Sequence, residues 1–224
     1  LRHLEATRGV KLLVIPFDGS GRPNSKALKE ALEARPDLMV LTGASNVTGC
    51  LTPVSEIAEQ CRKGGVPLCL DASQMAGHHP IPPCDFVCFS GHKGLLGPPG
   101  SGGLLLGPGA YPAPLILGGT GSASELEYQP EFLPVRYESG TPDVPALAGL
   151  KTALDFLAAP EMPTLRAREA SLCDELLRGL LALPGVLSQG PGPGQARVPV
   201  LSITVPGRDL GEIALALDRR EICT

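Results

Sequence analysis

Tryptophan is absent from this sequence, and Phe and Tyr bring the aromatic share to only 4% of 224 residues. The core of such a chain must be aliphatic. A hydrophobic content of 43% still suffices for one large domain, or one and a half ordinary ones. No run of one charge sign occurs: 19 basic and 23 acidic residues are interspersed, giving a formal net charge of −4. Lacking a basic stripe, the chain is poorly suited to nucleic acid as a partner. Long apolar runs are missing too. Leu12-Leu13-Val14-Ile15, among the longest, has the length of a strand and is far too short to cross a bilayer. Zinc-knuckle spacings are likewise missing among the seven cysteines at 50, 61, 69, 84, 88, 173 and 223. Their odd number and their place in apolar runs read as free thiols in a reducing, cytoplasmic setting. The sequence opens on Leu1, and Glu221-Ile222-Cys223-Thr224 has the character of a strand cut short. Both ends therefore read as those of a fragment, and the lack of a targeting segment carries little weight.

What is present is a regular alternation. Val10–Phe17 reads as a buried strand, ending at the turn-prone Asp18-Gly19-Ser20-Gly21. Asn24 or Ser25 caps a helix to about Ala34 with Leu28 and Leu32 on its apolar face. Leu38–Leu41 is a second strand. Pro53 opens a helix that turns Val54, Ile57, Ala58 and Cys61 to one side and closes at Gly64-Gly65. Val66–Leu70, Phe86–Phe89 and Gly103–Leu106 are further strands. Gly107 to Pro145 is a long Gly/Pro-rich connection, of a length that usually has a function. Beyond Val144 come helices over Leu147–Leu157 and Pro163–Leu183, a strand-like Val198–Val205 and a helix at Leu210–Leu217. This pattern predicts an α/β protein with a mainly parallel sheet and the start of a second, smaller α/β lobe. The division falls at 1–143 and 144–224.

In parallel sheets ligands gather beyond the carboxyl ends of the strands, and the polar residues fall there: Thr42 to Asn46, Asp71 to Gln74, and Ser90 to Lys93. Ser90, His92 and Lys93, followed by Gly94, Gly97 and Gly100, make a turn with donors for a phosphate. A partly desolvated lysine there is pushed toward its neutral, nucleophilic form. Asp71 can pair with a pyridinium nitrogen and keep the ring an electron sink. It would equally serve as a helix cap. Asn46 can donate to a ring oxygen or a substrate, or simply hold a turn. Each plain reading is reasonable singly; three at neighbouring strand ends are harder to dismiss together.

These residues resemble a known family, the class V aminotransferase-like enzymes, in particular the cysteine desulfurases and selenocysteine lyases. The matching segments follow in order along nearly the whole chain. They are Ala44-Ser45-Asn46-Val47-Thr48-Gly49 with Pro53; Leu70-Asp71-Ala72-Ser73-Gln74 with His78-His79-Pro80; and Asp85-Phe86. Phe89-Ser90-Gly91-His92-Lys93 with Gly97-Pro98-Pro99-Gly100, Gly118-Gly119, and Arg136-Tyr137-Glu138-Ser139-Gly140-Thr141-Pro142 complete the set. The resemblance implies a fold-type-I transferase and pyridoxal 5'-phosphate as cofactor. Lys93 would be the Schiff-base lysine that holds the internal aldimine and shuttles protons at the substrate α-carbon. Asp71 would pair with the ring nitrogen, Gln74 with the phenolic oxygen, and Asn46 with the ring oxygen or the substrate carboxylate. Ser90 and His92 would hold the phosphate. Thr141 would reach the phosphate of a neighbouring subunit, with Gly118 and Gly119 close to the same interface. A homodimer with a shared site, a cysteine-like substrate and a sulfur-acceptor protein follow from the same resemblance.

The sequence also departs from the family's pattern. Ser73 stands where these enzymes often carry Ala beneath the ring. The family's ring-stacking histidine and first phosphate turn would precede Leu1. Its nucleophilic cysteine and carboxylate-binding arginine would follow Thr224, and Cys223 lies before the expected Arg-x-Gly-x-x-Cys stretch. Weak cofactor binding by this chain alone is the expectation. A zinc site from His78, His79, Cys84 and Cys88 has suitable ligand types. It ranks below the cofactor because the thiols straddle a strand and prolines stiffen the histidine loop. Rivals to desulfuration are a class V aminotransferase or lyase of another amino acid, and a non-catalytic scaffold that keeps the fold.

Overall fold

Local signals set the first elements. The Asn24 carboxamide accepts from the Ala27 N–H and starts helix α2 (Ser25–Glu33), which follows a short α1 (Arg2–Arg8). Strand β1 (Met39–Thr42) leads to α3 (Val54–Gly64), and Gly65 ends α3 in the left-handed region, where an L side chain is strained. Strands β2 (Leu68–Asp71), β3 (Phe86–Ser90) and β4 (Gly102–Leu106) follow. The C-terminal part holds α4 (Val144–Leu157), α5 (Met162–Leu181), β5 (Leu187–Gln189), β6 (Ser202–Thr204) and α6 (Leu210–Asp218). The computed structural model of the protein describes residues 1–224 with the exception of 19, 122, 124 and 224.

The main sheet has the order β1-β2-β3-β4. The first three strands are parallel and β4 returns antiparallel to β3, so its first residue, Gly102, pairs with the last of β3, Ser90. One face of the sheet makes the core. Met39, Leu41, Leu68, Leu70 and Val87 are buried there against Val54, Ile57 and Cys61 of α3 and Leu28 of α2. Burying side chains of this size contributes about 1.5–3 kcal/mol each. Alternation along the strands turns Thr42, Cys69, Asp71, Cys88 and Ser90 to the other face, which stays partly open. A second sheet of β5 and β6 lies in the C-terminal part.

Three expectations need correction. Val10–Phe17 forms no strand, and only Ile15 packs on the core while Val10, Leu13, Val14 and Phe17 are exposed. Among the described residues its only bridge is Phe17 to Pro23, and a proline without an N–H cannot carry a ladder onward. Val198–Val205 is a strand only at Ser202–Thr204. Pro199 interrupts the run, and Val198 turns into the core with its N–H on the Gly49 carbonyl at 3.1 Å. Residues Glu221–Cys223 form a turn and an irregular end after α6 rather than a strand, and Thr224 lies outside the described residues. Among the described residues of the long connection from 107 to 143, the chain is irregular apart from a 3-10 turn at Val135–Tyr137, as its Gly/Pro content implies. Among the described residues no helix is long and apolar enough to cross a membrane.

Candidate active site

The register brings Thr42, Asp71 and Cys88 side by side across β1, β2 and β3, so the three loops that follow leave the sheet at one end. Asn46, Gln74 and Lys93 are carried on those loops, four residues past Thr42 and three past Asp71 and Ser90 respectively. Here the structure joins what the sequence scatters over almost fifty positions.

Each loop has its own fastening. The first folds back through 44–51, with a bridge between Ala44 and Leu51, and the Ser45 hydroxyl accepts from the Val47 and Thr48 N–H groups at 3.2 and 3.0 Å. Asn46 is exposed at its tip. In the second, half-buried Asp71 accepts the Ser73 N–H at 2.9 Å through Oδ1, and a turn rather than a helix follows. Ser73 is thus a backbone donor to the carboxylate it was expected to accompany. Burial pushes the neighbouring Cys69 thiol up to about 11, with Cys88 beside it as a further cause.

The third loop is a closed ring. Gly91 N–H donates to the Ser101 carbonyl at 2.8 Å, Gly97 N–H to the Gly91 carbonyl at 2.7 Å, and Leu96 N–H to the Lys93 carbonyl at 2.8 Å. A Cβ on Gly91 would fall 2.2 Å from the buried Ser101 hydroxyl, so only glycine closes this ring. Ser90 Oγ and His92 Nδ1 share a hydrogen bond of 3.1 Å, which sets a hydroxyl and an imidazole close enough to serve one anion. Lys93 projects from the ring into solvent. Among the described residues the side chains of Asn46, Gln74 and Lys93 have no hydrogen-bond or ion-pair partner. A basic amine, a carboxylate with one free oxygen, two amides and a hydroxyl–imidazole pair match the polar groups of pyridoxal phosphate. The residues present fit the group.

Thr141 is carried on a separate segment that borders the end of the third loop. With Gly100, Ser101, Gly102, Glu138 and Asp143 it lines a cavity of about 240 Å³ beside the strand that pairs with Ser90. Gly140 N–H donates to the Gly119 carbonyl at 2.6 Å, so the Gly118-Gly119 and Gly-Thr-Pro segments do meet. A larger cavity, about 530 Å³, opens at the other end of the strands among Arg62, Leu68, Asp85 and Pro108. Size is outweighed there by chemistry: the Asp85 carboxylate is committed to the Leu68 N–H at 2.8 Å, and Glu59 to Arg62. The zinc alternative loses its geometry. His78 bonds Glu169, His79 bonds the Arg197 carbonyl, and Cys84 Sγ donates to the Pro82 carbonyl. Sequence reading passed over Gly77, Ser101 and Glu169, which shape the lysine loop through contacts that no local pattern announces.

Comparison with known proteins agrees with this architecture. The whole chain, residues 1–224, matches the aminotransferase class-V family. A probable cysteine desulfurase of Xylella fastidiosa is 29% identical over 218 residues, covering 94% of this chain and 52% of that protein. One from Pseudomonas aeruginosa is 32% identical over 229 residues, covering 99% and 56%. Among solved structures, the apo cysteine desulfurase of Thermococcus onnurineus superposes with a TM-score of 0.85 at 28% identity, over 99% of this chain and 57% of that one. The S-sulfonic acid form of an Escherichia coli cysteine desulfurase gives 0.86 at 25%, over 99% and 56%. The chain spans about half the length of the curated relatives it matches. The fold is the fold-type-I architecture that its motifs imply. By its full-length match, the chain belongs to the class-V aminotransferase family of pyridoxal-phosphate-dependent enzymes.

Proposed function

We propose that this chain carries the lysine-bearing part of a pyridoxal-phosphate site that removes sulfur, or selenium, from cysteine-like amino acids. The observation behind this reading is the convergence of Lys93, Asp71 and the hydrogen-bonded Ser90–His92 pair at one end of the parallel strands. The naming of its relatives as cysteine desulfurases favours the substrate class. Residues 1–143 would form most of the cofactor-binding domain and 144–224 a connecting helix with part of a smaller one.

Pyridoxal phosphate, when bound, supplies an electron-withdrawing ring that acidifies the α-carbon of an amino acid attached to it. The chain's own groups do the rest. Asp71, oriented by the Ser73 N–H on Oδ1, would pair through its other oxygen with the ring nitrogen and keep a proton there. The Ser90 hydroxyl and the His92 imidazole bind the phosphate. Gln74 orients the ring through its phenolic oxygen, and Asn46 faces that oxygen or the substrate carboxylate. Lys93 would hold the cofactor through Nζ, and the same amine would be the group that takes or returns the proton at the substrate α-carbon. Thr141 would complete the phosphate site of a second subunit in a homodimer, and the sulfur would pass to an acceptor protein. Seven cysteines, several of them in apolar surroundings, are in keeping with a cytoplasmic, reducing setting.

The test is a titration with pyridoxal phosphate, followed by visible absorbance, with Lys93→Ala beside the unaltered chain. A band that depends on Lys93 is expected, and its absence sinks the reading. Sulfide release from cysteine with the same lysine dependence supports desulfuration. In a full-length form that also carries the family's cysteine, a band with no sulfide from cysteine points instead to another amino-acid substrate.

A further inference from the structure

Two consecutive histidines lie in the loop after β2, and each is committed to a different part of the C-terminal region. His78 Nδ1–H donates to Glu169 Oε2 on α5 at 3.1 Å, and His79 Nε2–H donates to the Arg197 carbonyl at 3.1 Å. Carboxylate and carbonyl oxygens only accept, so each of these ring nitrogens carries its proton. The other edge of the His78 ring lies against the lysine loop: a Cβ on Gly94 would stand 2.6 Å from both Cδ2 and Nε2 of His78. Gly94 directly follows Lys93. His78 is therefore held between α5 at one nitrogen and the backbone of the lysine loop at the opposite edge. Its side chain is 19% exposed, whereas Glu169 is 45% exposed.

We propose that His78 and Glu169 form a strut that braces the Lys93 loop against α5, acting as positioning residues for the lysine. The proposal rests on the reading of Lys93 as the cofactor anchor. Imidazole suits the part because it is rigid and planar and presents a donor on one edge while its other edge packs on a glycine. A rotatable side chain at 78 would bend rather than transmit. Released from Glu169, the ring can swing, Gly94 gains room, and the Lys93 amine samples a wider arc. What Glu169 must supply is an acceptor oxygen, which a glutamine also has.

Hydrogen exchange on the cofactor-free chain reads the brace directly, because the amides of Leu96 and Gly97 bond the carbonyls of Lys93 and Gly91. His78→Ala and Glu169→Ala are expected to speed exchange at Leu96 and Gly97 by about tenfold or more, with Leu70 and Val87 of the central strands unchanged. Glu169→Gln should stay within about twofold of the unaltered chain. With pyridoxal phosphate added, half-saturation of the Lys93-dependent band should move by about tenfold in Glu169→Ala and not in Glu169→Gln. Unchanged exchange in both alanine variants overturns the proposal. So does an equal rise at Leu70 and Val87, which makes the pair a general stability contact, or a Glu169→Gln that behaves like Glu169→Ala. If exchange responds as expected but no band depends on Lys93, the strut stands and the cofactor reading falls.

Discussion

Gly77 and Gly94 meet backbone to backbone: a Cβ on Gly77 would lie 2.0 Å from the Gly94 carbonyl oxygen, and one on Gly94 would lie 2.5 Å from the Ala76 carbonyl oxygen. The loop that carries Asp71 and Gln74 and the loop that carries Lys93 touch here with no side chain between them. This contact fixes the distance between the expected ring-nitrogen partner and the expected lysine.

Gly77→Ala should therefore be costly. The site has a φ of +88°, and the added methyl meets backbone, which cannot rotate away. A loss of about 1–3 kcal/mol or more is expected in urea unfolding, together with loss of any Lys93-dependent absorbance. An alanine variant as stable as the parent would remove the contact's claim to importance.

Lys93→Ala should do the reverse. The Lys93 side chain is exposed and has no partner among the described residues, so its removal should shift stability by no more than about 0.5 kcal/mol. Thermal unfolding of the cofactor-free variant should overlay that of the parent, even as cofactor absorbance disappears.

Leu70, fully buried on the face opposite Asp71, should behave as a core residue. Leu70→Ala should cost about 2–5 kcal/mol by equilibrium unfolding, since the sheet and α3 cannot both close on the cavity.

Gly49 ties the Asn46 loop to the C-terminal region. Its φ is +73°, and a Cβ there would stand 2.4 Å from the Val200 carbonyl oxygen. Gly49→Ala should lift the 197–202 segment, which also holds this loop through Ser202 Oγ and the Val47 carbonyl. Proteolysis within 190–201 should quicken while α3 stays protected. Equal cleavage in both proteins would show that the segment does not depend on Gly49.

Alkaline pH should weaken the fold through its thiols. Burial raises Cys69 from an ordinary 9.0 to about 11, and raises Cys61, Cys84 and Cys173 in the same direction. A group whose folded value is raised keeps its proton while the unfolded chain loses it. The contribution is whole below pH 9 and declines as pH rises toward 11. Denaturant midpoints measured over that window should fall. Replacing Cys69 with Ala should flatten the decline, and an unaltered slope would rule the thiol out as its source.

Much of this was legible along the chain because the deciding forces are local. Asn24 caps α2 through its own side chain, Gly65 ends α3, and apolar residues at 54, 57 and 61 face one way because an α-helix turns every 3.6 residues. Three polar clusters beyond strand ends followed from the rule that parallel strands gather their carboxyl ends. The strand expected at Val10–Phe17 shows the limit of such reading. Its composition suits a strand, but a strand exists only where a neighbour offers a ladder, and Pro23 offers none.

By itself, then, the sequence determined the α/β alternation, the lysine turn and the family motifs that surround it, since each depends on residues a few positions apart. Tertiary structure alone decided what stands next to Lys93. The Gly77–Gly94 contact, the Ser101 lock on Gly91 and the His78–Glu169 bond join residues up to 91 positions apart. Such pairings arise from which strands lie side by side and how closely backbones pack, and these emerge only when the whole sheet is assembled.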